Sequence, residues 1–178
     1  MKADESSQTK LRTKRLILRR ARPDDLEGMH AVLSDEQAMR YWTNGPHSEL
    51  AETERWLQSM LDSPYELSDD FVVTLDGETI GKTGAWRLPE FGFILRSDQW
   101  GRGYPSEAMR AFLDHMFRTR GVAYLTADTD PRNAGALSLL AKHGFVETGR
   151  ASGTWTTHIG VCDSVYLKLD REAWLSAN

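Results

Sequence analysis

The sequence predicts an α/β fold of the α+β kind, one domain in which a mixed sheet carries helices on both faces. Three observations predict it. The 178 residues fit a single domain and are enough to bury a real core, which rules out two large ones. Two β-rich runs meeting at Asp76-Gly77 read as an antiparallel meander. A strand, a glycine-bearing loop, a helix and another strand then follow between residues 91 and 128, a unit that needs parallel pairing and a right-handed crossover.

The elements follow in order. Arg15-Leu-Ile-Leu-Arg-Arg20 alternates as a strand, and Pro23-Asp-Asp-Leu-Glu27 opens a helix with proline and acids at its first turn. A second helix spans residues 49–61, with Leu50, Trp56, Leu57, Met60 and Leu61 on one side and Ser48 as its N-cap. Strands are expected at residues 71–75, 79–86 and 91–95, a helix at 105–118, a strand at 123–128 and a helix at 133–142. Two last strands fall near residues 145–150 and 163–169, and no repeat or low-complexity segment interrupts the series.

Composition narrows the function classes. With 40% apolar and 27% charged residues, the chain has no stretch near the ~18 apolar residues of a membrane helix, so no membrane span is expected. The polar start MKADESSQTK lacks the apolar core of a secretory signal, and a cytoplasmic protein is expected. Cys162 is the only cysteine, and His30, His47, His115, His143 and His158 show no ligand spacing; neither a disulfide nor a metal site is expected. A net charge of −4 argues against a nucleic-acid partner. That charge is segregated: Lys10 to Arg22 holds seven bases and no acid, and Glu49 to Asp70 holds seven acids with only Arg55 as a base. Both runs read first as solvated surface.

The segment most informative about chemistry is Phe91-Gly-Phe-Ile-Leu-Arg-Ser-Asp-Gln-Trp-Gly-Arg-Gly-Tyr-Pro-Ser-Glu-Ala108. A strand runs into Gly101 and Gly103 and then into a helix, so backbone N–H groups from Trp100 to Tyr104 can cradle an anion at the positive helix end. The spacing is neither a dinucleotide-binding fingerprint nor a P-loop.

This segment resembles motif A of the GNAT N-acetyltransferase superfamily, Gln/Arg-x-x-Gly-x-Gly/Ala. The downstream order also matches: a strand, then Asn133, then a helix ending in Gly144-Phe145, twelve residues on from the asparagine. Leu16-Ile-Leu-Arg19, Arg40-Tyr-Trp42, Glu54-Arg-Trp-Leu57 and Cys162-Asp-Ser-Val-Tyr166 look like the RimJ/RimL branch. The resemblance covers residues 12–172 and implies one acetyltransferase domain there, with a loose segment at 1–11 and a tail at 173–178. It implies a mostly antiparallel sheet with a splayed parallel strand pair.

It also implies acetyl-CoA as co-substrate. Phe93, Ile94 and Leu95 then offer backbone groups to the pantetheine arm, and Trp100, Gly101, Arg102, Gly103, Tyr104, Pro105 and Ser106 hold the pyrophosphate, with Asn133 on the cofactor side. Two positions depart from the pattern. Trp100 stands where Gln or Arg is usual, and Pro105 replaces Gly/Ala and lacks an N–H, for which Ser106 is expected to compensate.

Acetylation of an amine needs a neutral nucleophile and a place for two protons. The resemblance implies Glu90 as the base, acting directly or through water. The usual tyrosine and serine donors are replaced by Leu140 and Ala136, which leaves Ser138 as the candidate proton donor. Trp42, Trp86 and Trp155 are candidates to line the acceptor pocket. The acceptor is expected to be a cationic primary amine, because the acidic 49–70 stretch falls on the acceptor side in this family. A protein N-terminal amine is the first reading. A drug or polyamine, or an acyl-CoA-binding role with little turnover, are the alternatives, and the assembly, a homodimer included, is open.

Overall fold

The computed structural model describes residues 9–178. Lys10–Arg12 (β1) pairs antiparallel with Leu16–Arg19 (β2), and β2 pairs with Asp69–Leu75 (β3). A turn at Asp76 and Gly77 leads into Glu78–Arg87 (β4), followed by Glu90–Leu95 (β5). With Tyr124–Thr129 (β6), Val146–Thr157 (β7) and Gly160–Asp170 (β8), they form one eight-stranded sheet in the order β1-β2-β3-β4-β5-β6-β8-β7. Among the described residues only β5 and β6 run parallel, and the helix between them is the crossover that such a pair requires.

Leu26–Leu33 (α1) and Leu50–Asp62 (α2) belong to the smaller of two cores, in which Met29, Val32, Leu33 and Met39 pack on Val72 and Ile94. Tyr104–Asp114 (α3) and Ala134–Lys142 (α4) lie against the larger one, where Phe91 stacks on both Phe112 and Phe145 at 5.1 and 5.8 Å between centroids. Each such fully buried aromatic contributes about 2–3 kcal/mol by burial. The expected helices on both faces are present.

Four local readings are corrected. Glu49, not Ser48, takes the N-cap position of α2, because Glu52 reaches back to accept the N–H groups of Ser48 and Glu49 at 2.6 and 3.1 Å. Residues 1–8 of the expected loose segment lie outside the described residues, but Lys10 and Leu11 form β1, three residues being too few for an alternation to register. The expected tail is part of a helix, Arg171–Ala177 (α5), in which Trp174 is buried and donates from Nε1 to Asp114 Oδ1 at 3.0 Å. Finally, β3 starts two residues early, at Asp69 and Asp70, which is possible only because both carboxylates find cations.

Asp69, fully buried, meets Arg20 at 2.5 Å, Arg120 Nη1 at 2.7 Å and His115 Nε2 at 2.8 Å. Burial pushes its pKa up, but the hydrogen bond from His115, the charge of Arg20 and the hydrogen bond from Arg120 outweigh that and hold it below the usual carboxylate range. The network ties the start of β3 to the end of α3.

Candidate active site

The decisive feature of the sheet is where it fails to close. β5 and β6 share a single register, Glu90 opposite Thr126, reinforced by the Thr126 N–H donating to Pro89 O at 2.9 Å. Beyond it, along Phe91–Leu95, β5 does not pair with β6 among the described residues, while β6 pairs with β8 over six registers on its other edge. The two strands splay, and the backbone of Phe93, Ile94 and Leu95 borders the opening. Gly92 has nothing within 4 Å of the place a Cβ would occupy.

At the end of β5 a 3₁₀ turn, Ser97–Gln99, leads into the two-glycine loop. Gly101 and Gly103 sit at φ of 73° and 81°, left-handed conformations that side-chain-bearing residues rarely adopt. A Cβ on Gly101 would meet nothing within 4 Å, so the space beside the loop is open. Gly103 is the N-cap of α3, whose first N–H groups have no intrahelical acceptor. The loop therefore fits an anion such as a pyrophosphate.

Not every expected donor is at hand. The Trp100 N–H is spent on Ser97 O at 3.1 Å, where it closes the 3₁₀ turn, and the Trp100 indole donates to Leu95 O at 2.9 Å. Pro105 has none, which leaves Gly101, Arg102, Gly103, Tyr104 and Ser106 as backbone donors. The Ser106 hydroxyl lies 2.8 Å from His143 Nε2, and burial, with Lys142 and Arg110 nearby, holds the His143 pKa down to about 4. Arg102 is exposed, and Tyr104 is buried beneath the Arg15 guanidinium, 4.3 Å from its ring.

On the face of the sheet that carries α1 and α2, Glu90 follows the same alternation as Gly92 and Ile94, and Thr126 the same as Asp128. The parallel register thus brings two carboxylates, Glu90 and Asp128, to one face at the opening. Asp128 was missed in the sequence, and only its place two residues after Thr126 on β6 could have pointed to it. Its Oδ2 accepts from Trp155 Nε1 at 2.9 Å. Glu90, Trp86 and Trp155 are exposed. Trp42 packs on the smaller core, 6.0 Å from Lys82 Nζ. His158, at the tip of the β7–β8 hairpin, lies so close to Gly45 that a Cβ there would stand 3.3 Å from it, so hairpin and α1–α2 loop meet at the rim.

Asn133, Ser138 and the acidic stretch have the following surroundings. Asn133 Oδ1 caps α4, accepting from Ala136 N–H at 3.1 Å. Ser138 is exposed on α4, about 200° around the helix from buried Leu140, and no hydrogen bond joins it to Glu90 or Asp128 among the described residues. The acidic 49–70 stretch does not act as one surface: Asp69 is neutralised as above, and Asp70 is buried against Lys82 Nζ at 2.6 Å.

Comparison with known proteins fits this geometry. The family model described as "Acetyltransferase (GNAT) domain" matches residues 15–146, most of the chain. The chain belongs to the GNAT acetyltransferase family. As a GNAT acetyltransferase it is an N-acetyltransferase, and enzymes of this family use acetyl-CoA. An uncharacterised N-acetyltransferase, p20 of Bacillus licheniformis, is 25% identical over 148 residues, 78% of this chain and 83% of that protein. Two crystal structures show the same GNAT fold. One is the ribosomal-protein-S5-alanine acetyltransferase of Vibrio fischeri, with a TM-score of 0.78 and 20% identity over 93% of this chain and 98% of that one. The other is the spermidine N-acetyltransferase of Vibrio cholerae in complex with CoA and spermine, with a TM-score of 0.79 and 20% identity over 92% and 99%.

Proposed function

We propose that this GNAT acetyltransferase moves an acetyl group from acetyl-CoA to a cationic primary amine by direct attack, without an acyl-enzyme. The observation that carries the reading is the splayed β5–β6 pair, with a left-handed two-glycine loop beyond one end of β5 and two carboxylates on one face at the other. When bound, acetyl-CoA supplies a thioester carbonyl as electrophile. The backbone of Phe93–Leu95 orients the pantetheine arm. The N–H groups of Gly101 to Tyr104 and of Ser106 hold the pyrophosphate, with Arg102 adding charge.

Glu90 removes a proton from the ammonium, directly or through one water, so that the amine lone pair is free to attack. The new N–C bond forms as the C–S bond breaks, the second proton of the attacking nitrogen passes to solvent water, and the sulfur leaves as a thiolate that takes a proton from solvent. Ser138, on the solvent side of α4, is not needed for that step. Asp128, steadied by the Trp155 indole, holds the positive charge of the acceptor, and the exposed faces of Trp155 and Trp86 suit a cation. The two carboxylates at the opening support a cationic acceptor better than the acidic helix does.

Thiol release measured against polyamines, drug-like amines and peptides with free N-termini sorts the acceptor classes. Glu90→Gln should lower kcat by ~10²-fold, with partial recovery at high pH as the amine deprotonates unaided. A loss confined to acceptor KM would assign Glu90 to binding instead. A wild-type kcat and pH profile would remove it from the mechanism. Binding of CoA with no thiol release from any amine would make the chain an acyl-CoA-binding protein.

A further inference from the structure

We propose that Arg15 is a positioning residue for the phosphate loop, fixing the peptide between Arg102 and Gly103 so that the Gly103 N–H faces the anion. This rests on the reading that the loop binds the pyrophosphate of CoA. The seven-base run from Lys10 to Arg22 reads as solvated surface, yet three of its members turn to partners in the fold. Arg19 pairs with Asp25, Arg20 with Asp69, and Arg15 with the start of α3.

Arg15 is held at several points. Its Nε donates to Glu107 Oε2 at 2.7 Å, its Nη1 donates to the carbonyl of Arg102 at 2.9 Å, and its guanidinium lies over the Tyr104 ring. Glu107 is itself pinned from the β1–β2 turn, where Oε1 accepts from the Thr13 hydroxyl at 2.5 Å and from the Arg15 N–H at 2.8 Å. Burial pushes the Glu107 carboxyl up, but the bonds from Thr13 and Arg15 hold it below its ordinary range, so it stays ionised as the anchor.

The consequence follows from peptide geometry. In a trans peptide the C=O of one residue and the N–H of the next point in opposite directions. With the Arg102 carbonyl captured on the β1–β2 side, the Gly103 N–H must turn to the other side of the loop. Gly103 has no Cβ to resist rotation, so without a brace this peptide could flip at little cost and present its carbonyl to a phosphate. Since Trp100 and Pro105 contribute no N–H, each of the remaining donors matters more than in a loop with a full set.

The test compares Arg15→Met and Arg15→Lys with wild type, using CoA as the probe in titration calorimetry and in amide NMR of the ¹⁵N-labelled chain. Loss of the brace should weaken CoA about tenfold in both variants, because one lysine nitrogen cannot span Glu107 and the Arg102 carbonyl. At saturating CoA the Gly103 amide should lose its ligand-induced shift, while the amides of Phe93 to Leu95 keep theirs. An unchanged Kd, full recovery in Arg15→Lys, or parallel loss of all shifts would overturn the positioning role. If the wild-type chain itself shows no CoA-induced shifts, the cofactor reading fails, which is a separate result.

Discussion

The phosphate loop and the β7–β8 hairpin stand at two ends of the proposed site and are held in opposite ways. The loop and its flanks are tied to their surroundings at four points. Asp35 Oδ2 accepts the Ser97 N–H at 2.6 Å, the Trp100 indole reaches Leu95 O, Arg15 holds Arg102 O, and Ser106 meets His143. The hairpin is a long two-stranded arm whose Trp155, Ile159 and Val161 are exposed, and β7 is an edge strand of the sheet. A site built from backbone needs its peptides fixed, and braces from neighbouring elements do that. A site built from side chains on an exposed arm can change its residues at little cost to the fold, which is where acceptor choice is best placed.

The widest gap between the two regions should come from Gly103→Glu. A side chain at φ of 81° strains the backbone by roughly 1–2 kcal/mol, and the carboxylate repels the anion. CoA binding measured by calorimetry should weaken by ~100-fold or more, while circular dichroism stays that of the folded chain. An unchanged Kd would place the phosphates elsewhere.

On the hairpin side the effects should be smaller and confined to the acceptor. Asp128→Asn is expected to raise acceptor KM about tenfold and to leave the Kd for CoA within about twofold. Trp155→Phe keeps the ring but removes the N–H donated to Asp128, so a rise of about threefold is expected in steady-state assays. A change in CoA binding in either variant would erase the division between the regions.

The least effect is one of pH on the loop's support. Burial keeps His143 neutral down to about pH 4, whereas in the unfolded chain it takes its ordinary value of 6.5. Below 6.5 the unfolded state therefore gains a proton that the folded state refuses. The contribution of His143 is complete above pH 6.5 and is lost as the pH falls toward 4. Thermal unfolding should show a lower Tm at pH 5 than at pH 7.5, and His143→Gln should flatten part of that difference. An equal drop in the variant would assign it to other groups.

Much of the fold was legible in the sequence because it is encoded locally. Asp76-Gly77 marks a turn by backbone preference, the strands 71–75 and 91–95 by β-branched and aromatic residues, and Gly101 and Gly103 by the φ that only glycine adopts freely. The glycine motif around Gly101 and Gly103, followed by a strand, Asn133 and a helix ending in Gly144-Phe145, sufficed for the family. β1 and α5 were not legible, since three and seven residues carry no periodicity and both exist through contacts with distant elements.

What only the tertiary structure decided is which charges belong to the site. Sequence adjacency grouped Asp69 and Asp70 with the acids of α2, yet their partners Lys82, His115 and Arg120 lie 12, 46 and 51 residues away along the chain. Adjacency likewise grouped Arg15 with a surface run, although it braces a loop 87 residues on. Asp128 joins Glu90 only through the parallel register at Thr126. Burial and pairing through space set whether a charge is neutralised or presented, and neither depends on the order in which residues are written.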